Sequence, residues 1–219
     1  MDRISGIKKL TDNRYLNLYE LDATFRDGSK APYYVASRRP NSESLKAVTG
    51  DNRADGVLIY GVHGPQRDKG VLIRQYRYPV NAYVYEFPAG LVEALENPAQ
   101  AAAREFFEET GLTLSPINGG AYQRPFFTTV GMTDESCATV FGYCDGTPSS
   151  AHQEGSEDIE VVLADREECR RILKEERVAI MCAYMLMHFI ARKAIPSLFY
   201  RNKEDSLCPI PLLLYPPAT

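Results

Sequence analysis

Residues 97–112 read as a helix with both ends marked and one edge crowded with acid. Asn97 is a good N-cap, Pro98 fills the first helical position, and Gln100 stands three residues after the cap. The run 99–110 is built of strong helix formers, and Gly111 stops it. At about 100° per residue, Glu105, Glu108 and Glu109 share one face. Ala99, Ala103, Phe106 and Thr110 gather opposite, with Phe107 near the edge, and that is the face expected to be buried. Three like charges at this spacing repel by about 0.2–0.5 kcal/mol per pair, and Arg104 relieves part of it through Glu108 at i+4. The triad also sits at the helix C-terminus, where the macrodipole disfavours anions. A solvated acidic face is the bland explanation for clustered glutamates. An arrangement that costs stability twice points instead to a ligand, and oxygen-only donors suit a hard divalent cation such as Mg2+ or Mn2+.

The flanks read as a mixed sheet. Strands are expected over 15–24 and 32–37 around an Asp27-Gly28 turn, then over 57–62, 71–76 and 83–87, with Pro88-Ala89-Gly90 closing the last. Residues 38–55 are polar and turn-rich, a loop or boundary. Further strands are expected over 122–129, 138–143 and 159–163. Asp165 opens a helix to about Glu175, and 178–193 is a second, mostly apolar one. The proline-rich tail is assigned no regular structure. Strands and helices without strict alternation imply helices packed on a mixed sheet.

Composition narrows the partners. A formal charge of -4 with no basic block argues against nucleic acid or an anionic membrane. The polar N-terminus is unlike a signal peptide, and the longest apolar run, 178–190, is too short to span a bilayer. Five scattered cysteines without CxxC spacing fit reduced thiols in a cytoplasmic protein.

The segment Gly90-x5-Glu96-x7-Arg104-Glu105-Phe106-x-Glu108-Glu109-x-Gly111-Leu112 resembles a complete Nudix box, with every fixed and hydrophobic position filled. A chance match in a chain this long is on the order of 10⁻⁷ from average residue usage. The resemblance implies an α+β class chain, an α/β/α sandwich with a mixed β-sheet between helices. It implies an N-terminal β-strand segment over 1–50 that forms a homodimer, a catalytic domain over 51–195 and a tail over 196–219. It makes Glu105, Glu108 and Glu109 metal ligands together with the Ala89 carbonyl. Glu96 would reach metal-bound water or Arg104. Arg104 would orient the carboxylates, and Gly90 and Gly111 would shape the flanking loops by tolerating positive φ. Mg2+ is the implied cofactor, with Mn2+ able to substitute.

Arg74-Gln75-Tyr76-Arg77-Tyr78-Pro79 and Glu86-Phe87-Pro88-Ala89-Gly90 resemble the ADP-ribose and nucleotide-sugar pyrophosphatase branch, which implies Arg77 and Glu86 at the substrate site. Gly131-Met132-Thr133-Asp134-Glu135 resembles another stretch of that branch, although Thr129-Val130 stand where Ser-Pro is common. Glu135 is therefore expected either to contact substrate or to order its loop. Residues 153–161 resemble the branch's acidic loop, which makes Glu157 the first candidate for catalytic base and Glu154 the second. The polar loop from Ser149 could close over substrate. The expected reaction is hydrolysis of a nucleoside diphosphate linked to a sugar, ADP-ribose first. GDP-mannose, a UDP-sugar, or a non-catalytic sensor of such nucleotides stand as alternatives.

Overall fold

The structure, a computed structural model, describes residues 3–117 and 124–191. The chain opens with a separate antiparallel sheet of β1 (Ile4–Lys9), β2 (Asn17–Thr24) and β3 (Lys30–Ser37), in the order β1-β2-β3. Tyr19, Leu21 and Leu45 form its small core, with Ile4, Ile7 and Val35 packed against them. Gly28 takes the left-handed conformation that the β2–β3 turn requires, at φ 86°. β1 lies in a stretch whose sequence reads only as polar. Its two isoleucines become strand residues because β2 offers both a hydrogen-bonding edge and a core. The expected loop at 38–55 contains a single 3-10 turn, Ser42–Ser44, and a short helix, α1 (Lys46–Thr49).

The second sheet centres on β4 (Gly56–His63), which pairs with β5 (Lys69–Arg77) and, in parallel, with β10 (Ser136–Asp145). β6 (Ala82–Glu86) pairs with β5 and β7 (Ala89–Leu91) with β4. β8 (Thr113–Pro116) and β9 (Phe126–Phe127) pair with β10, and β11 (Ile159–Ala164) with β5. β7 and β8 occupy segments that the sequence reads as a turn and as unstructured, because their pairing partners lie tens of residues away. Of the strand expected at 122–129, Phe126–Phe127 form β9, and residues 118–123 lie outside the described ones.

β4 is buried on both faces, and its alternation sorts the core into two layers. Val57 and Ile59 face α2 (Pro98–Thr110), together with Ala102, Phe106 and Leu112. Leu58, Tyr60 and Val62 face α3 (Arg166–Glu175) and α4 (Ile180–Ala191), together with Ile172, Leu186 and Phe189. The result is the expected α/β/α sandwich of the α+β class. The residues from 192 on, and with them the tail over 196–219, lie outside the described residues. Among the described residues no helix is long and apolar enough to cross a membrane. Cys137, Cys144, Cys169 and Cys182 are free thiols.

Candidate functional site

α2 begins as its sequence dictates. The Asn97 side chain accepts from the amides of Ala99 and Gln100, at 3.0 Å each, and Gln100 Oε1 accepts from the Asn97 amide at 3.0 Å. It ends at Gly111, whose φ of 71° suits glycine and whose amide donates to the Phe107 carbonyl. The buried stripe, however, differs from the expected one. Ala101, Ala102, Phe106, Glu109 and Thr110 are buried, while Ala99 and Ala103 are half-buried and Phe107 is exposed. The helix is rotated so that the acidic edge dips into the protein rather than facing away from it.

Glu109 is the consequence, with 4% of its surface exposed. Its Oε2 accepts from the Ala89 amide at 3.1 Å. Burial pushes its pKa well above the usual carboxylate value, against the Ala89 amide, which pulls it down. Glu157 and Glu105 raise it further, and Arg77 opposes them. Glu105 is also raised by burial, partly offset by Arg104. Gly90 makes room for Glu105, since a Cβ at that position would collide with its carboxylate. Gly90 itself lies in β7 and is not among the residues with positive φ, so what matters there is the missing side chain rather than an unusual backbone.

Arg104 gathers the other acids. Its Nε and Nη2 donate to the two oxygens of Glu96, both at 2.9 Å, and Nη2 also donates to the Leu91 carbonyl at 3.0 Å. Its Nη1 lies 3.0 Å from Glu105 Oε1 and 3.0 Å from Glu108 Oε2. The bidentate bond holds the Glu96 carboxyl below its usual range. Arg77 at the end of β5 donates from Nε and Nη2 to Glu86 at the end of β6, at 2.7 and 2.8 Å. That pair raises the Arg77 pKa, with burial opposing and the charges of Glu109 and Glu157 adding to it.

Glu157 is half-buried and electrostatically coupled to both Glu109 and Arg77. Glu154 is exposed, and its amide donates to Glu157 Oε2 at 2.9 Å. Glu135 stands apart from this group, pairing with Arg38 at 3.2 Å and accepting from the Thr128 hydroxyl at 3.2 Å. The geometry therefore joins Glu96, Arg104, Glu105 and Glu108 in one cluster and Ala89, Glu109, Glu157, Arg77 and Glu86 in another beside it. Gln153, which the sequence did not single out, donates from Nε2 to the Glu109 carbonyl at 2.8 Å, and the Ser149 amide donates to the Thr110 carbonyl at 2.9 Å. Both pin the acidic loop to the end of α2, and no local pattern signals contacts across such sequence distances.

The donor chemistry suits a hard dication: three carboxylates at one helix end, one of them buried beside two further acids. Among the described residues no three His, Cys, Asp or Glu side chains are gathered in a way that holds an ion. In their place the Arg104 guanidinium supplies the counter-charge to Glu105 and Glu108.

A family model described as the NUDIX domain matches residues 52–180. The chain is 51% identical over 72 residues to an ADP-sugar pyrophosphatase of Mus musculus, covering 32% of this chain and 33% of the relative. It is 26% identical over 128 residues to an ADP-ribose pyrophosphatase of Bacillus subtilis, covering 58% of each. The chain thus spans between one third and three fifths of the length of these curated relatives. A solved structure titled as an ADP compounds hydrolase shares the fold, with a TM-score of 0.61 at 16% identity over 85% of this chain and 90% of that one.

Proposed function

Because the chain belongs to the Nudix family, we propose that it hydrolyses the diphosphate of a nucleoside diphosphate linked to a sugar, with ADP-ribose yielding AMP and ribose 5-phosphate. The observation that carries this reading is the buried Glu109 carboxylate, set between the Arg104-centred acids and the Arg77–Glu86 pair. The similarity to an ADP-sugar and an ADP-ribose pyrophosphatase favours the adenine nucleotide over a GDP- or UDP-sugar. A purely sensing protein would have no need for every box carboxylate.

Glu105, Glu108 and Glu109, with the Ala89 carbonyl, would hold Mg2+, or Mn2+ in its place. A cation bound there would offset charge on the diphosphate and lower the pKa of a water beside it, leaving the proton to be taken by a carboxylate of the chain. Glu105 and Glu108, now paired with the Arg104 guanidinium, would have to share their oxygens with the cation, and Glu96 would keep Arg104 in place through its bidentate bond. Arg77, fixed by Glu86, directs its remaining N–H groups to phosphate oxygens and stabilises the leaving phosphate. Glu157 is the base that takes the water proton, because it lies in the field of Glu109 and Arg77. Glu154 is second, since it is exposed. Glu135 orders the loop through Thr128 and Arg38 instead of touching substrate. The same reading makes the chain a cytoplasmic homodimer joined through β1–β3.

The decisive assay incubates the protein with ADP-ribose, GDP-mannose and a UDP-sugar, each with Mg2+ or Mn2+, and identifies the nucleotide released. AMP from ADP-ribose is the expected result. GMP or UMP as the faster product would reassign the substrate, and no monophosphate from any of them would refute hydrolysis. Glu109→Gln keeps an acceptor for the Ala89 amide, so the fold survives, and turnover falls by about 10²–10³-fold. Near-normal turnover of that variant with Mg2+ rules out the metal assignment.

A further inference from the structure

α4 is apolar all round, which is the pattern of a helix covered on every side. Its inner face is covered: Cys182, Leu186 and Phe189 are buried against β4 and α3. Its outer face is bare among the described residues. Ile180, Met181, Tyr184 and Met187, spaced i, i+1, i+4 and i+7, are 68%, 38%, 66% and 52% exposed. No Asp, Glu, Lys or Arg interrupts residues 178–191. A contiguous apolar stripe of this kind marks a surface that meets something.

The chain continues directly from this helix into residues 192–219. Their charges fall in the first half, at Arg192, Lys193, Arg201, Lys203, Glu204 and Asp205. Residues 206–217, Ser-Leu-Cys-Pro-Ile-Pro-Leu-Leu-Leu-Tyr-Pro-Pro, carry none. We infer that this uncharged segment docks along the outer face of α4 of its own chain, Leu212, Leu213, Leu214 and Tyr215 covering Ile180, Tyr184 and Met187.

Length, tethering and composition favour this occupant. α4 is about 18 Å long, and an extended segment spanning 206–217 reaches about 37 Å, enough to cover it from end to end. The charged stretch 192–205 is long enough to turn the chain back. A covalent tether of this length holds its segment at an effective concentration on the order of millimolar, well above that of any second copy in dilute solution. Prolines at 209, 211, 216 and 217 withhold backbone donors, so the segment suits an apolar helix face better than a sheet edge. The inference stands independently of the reaction, since these α4 residues lie on the opposite layer from α2.

The full chain contains no tryptophan, so Leu213→Trp installs a single reporter. Its emission is expected to be blue-shifted relative to tryptophan in water, to move to the solvent value when Met187→Lys is added on α4, and to stay blue-shifted with Met187→Leu. Circular dichroism checks that both α4 variants stay folded, as half-exposed Met187 allows. Dilution to nanomolar protein should leave the emission unchanged. Solvent-like emission before any change on α4, or emission indifferent to Met187→Lys, overturns the inference. So does a red shift on dilution, which would make a second copy the occupant.

Discussion

A Cβ at position 90 would collide with the Glu105 carboxylate, and a Cβ at 111 would lie 2.7 Å from that of Ser149. Both glycines belong to the box, yet they serve it differently. Gly111 is needed for its left-handed backbone as well as for the room beside Ser149, and Gly90 for space alone. The sequence assigns both to backbone freedom, because a glycine's symbol does not say which of its two properties is used. The distinction is testable. Gly90→Ala should leave the fold intact, since the obstructing atoms are the flexible end of Glu105. It should lower turnover by about 10²-fold, the scale of a displacement near 1 Å in a reacting group. Unaltered turnover would mean that the position of Glu105 is irrelevant to the chemistry. Glu109 illustrates the same limit. Its place on the acidic edge was legible, and its burial was not, because helical period fixes angles between side chains but not which angle meets the sheet.

At the scale of elements, legibility followed the range of the interactions that make each one. α2 and α3 were readable because their caps are local: Asn97 with Gln100 in one, and Asp165 accepting from the Glu167 and Glu168 amides at 2.9 Å in the other. β4 was readable as a continuous apolar run. β1, β7 and β8 were not, since each is short and takes its hydrogen bonds from a strand remote in sequence. Asn97→Ala removes the acceptor for two amides at the start of α2 and should destabilise the protein by about 1 kcal/mol. Urea unfolding measures this, and an unchanged midpoint would show that the cap is redundant with the packing of Phe106 and Leu112 on the sheet.

Across the whole molecule, a charged network ties the N-terminal sheet to the main one. Buried Lys46 places Nζ 2.6 Å from Asp55 Oδ2 and 3.0 Å from the Arg53 carbonyl, and it also donates to the Ser136 hydroxyl at the start of β10. Arg39, just after β3, holds the other oxygen of Asp55 at 2.7 Å. The Tyr33 hydroxyl donates to the Gly131 carbonyl, and Glu135 meets Arg38, along the same seam. Lys46→Met leaves Asp55 half-compensated and should cost about 3 kcal/mol. It should also open residues 38–55 to protease before the main sheet unfolds. Equal stability and an unchanged cleavage pattern would show that the two sheets are held by other contacts.

By itself, the sequence determined what is encoded within a few residues: the capped ends of α2, the ordering of acids along it, the family it belongs to and the apolar strands of the central sheet. Tertiary structure decided which way α2 faces, and so that Glu109 is buried. It also decided that Arg104 is shared among Glu96, Glu105 and Glu108, and that Glu157 lies in the field of Glu109 and Arg77. The reason is physical. Caps and periodicity depend on backbone geometry over one or two turns, whereas burial and ion pairing depend on which distant strands close around the helix, and that choice is made by the core as a whole.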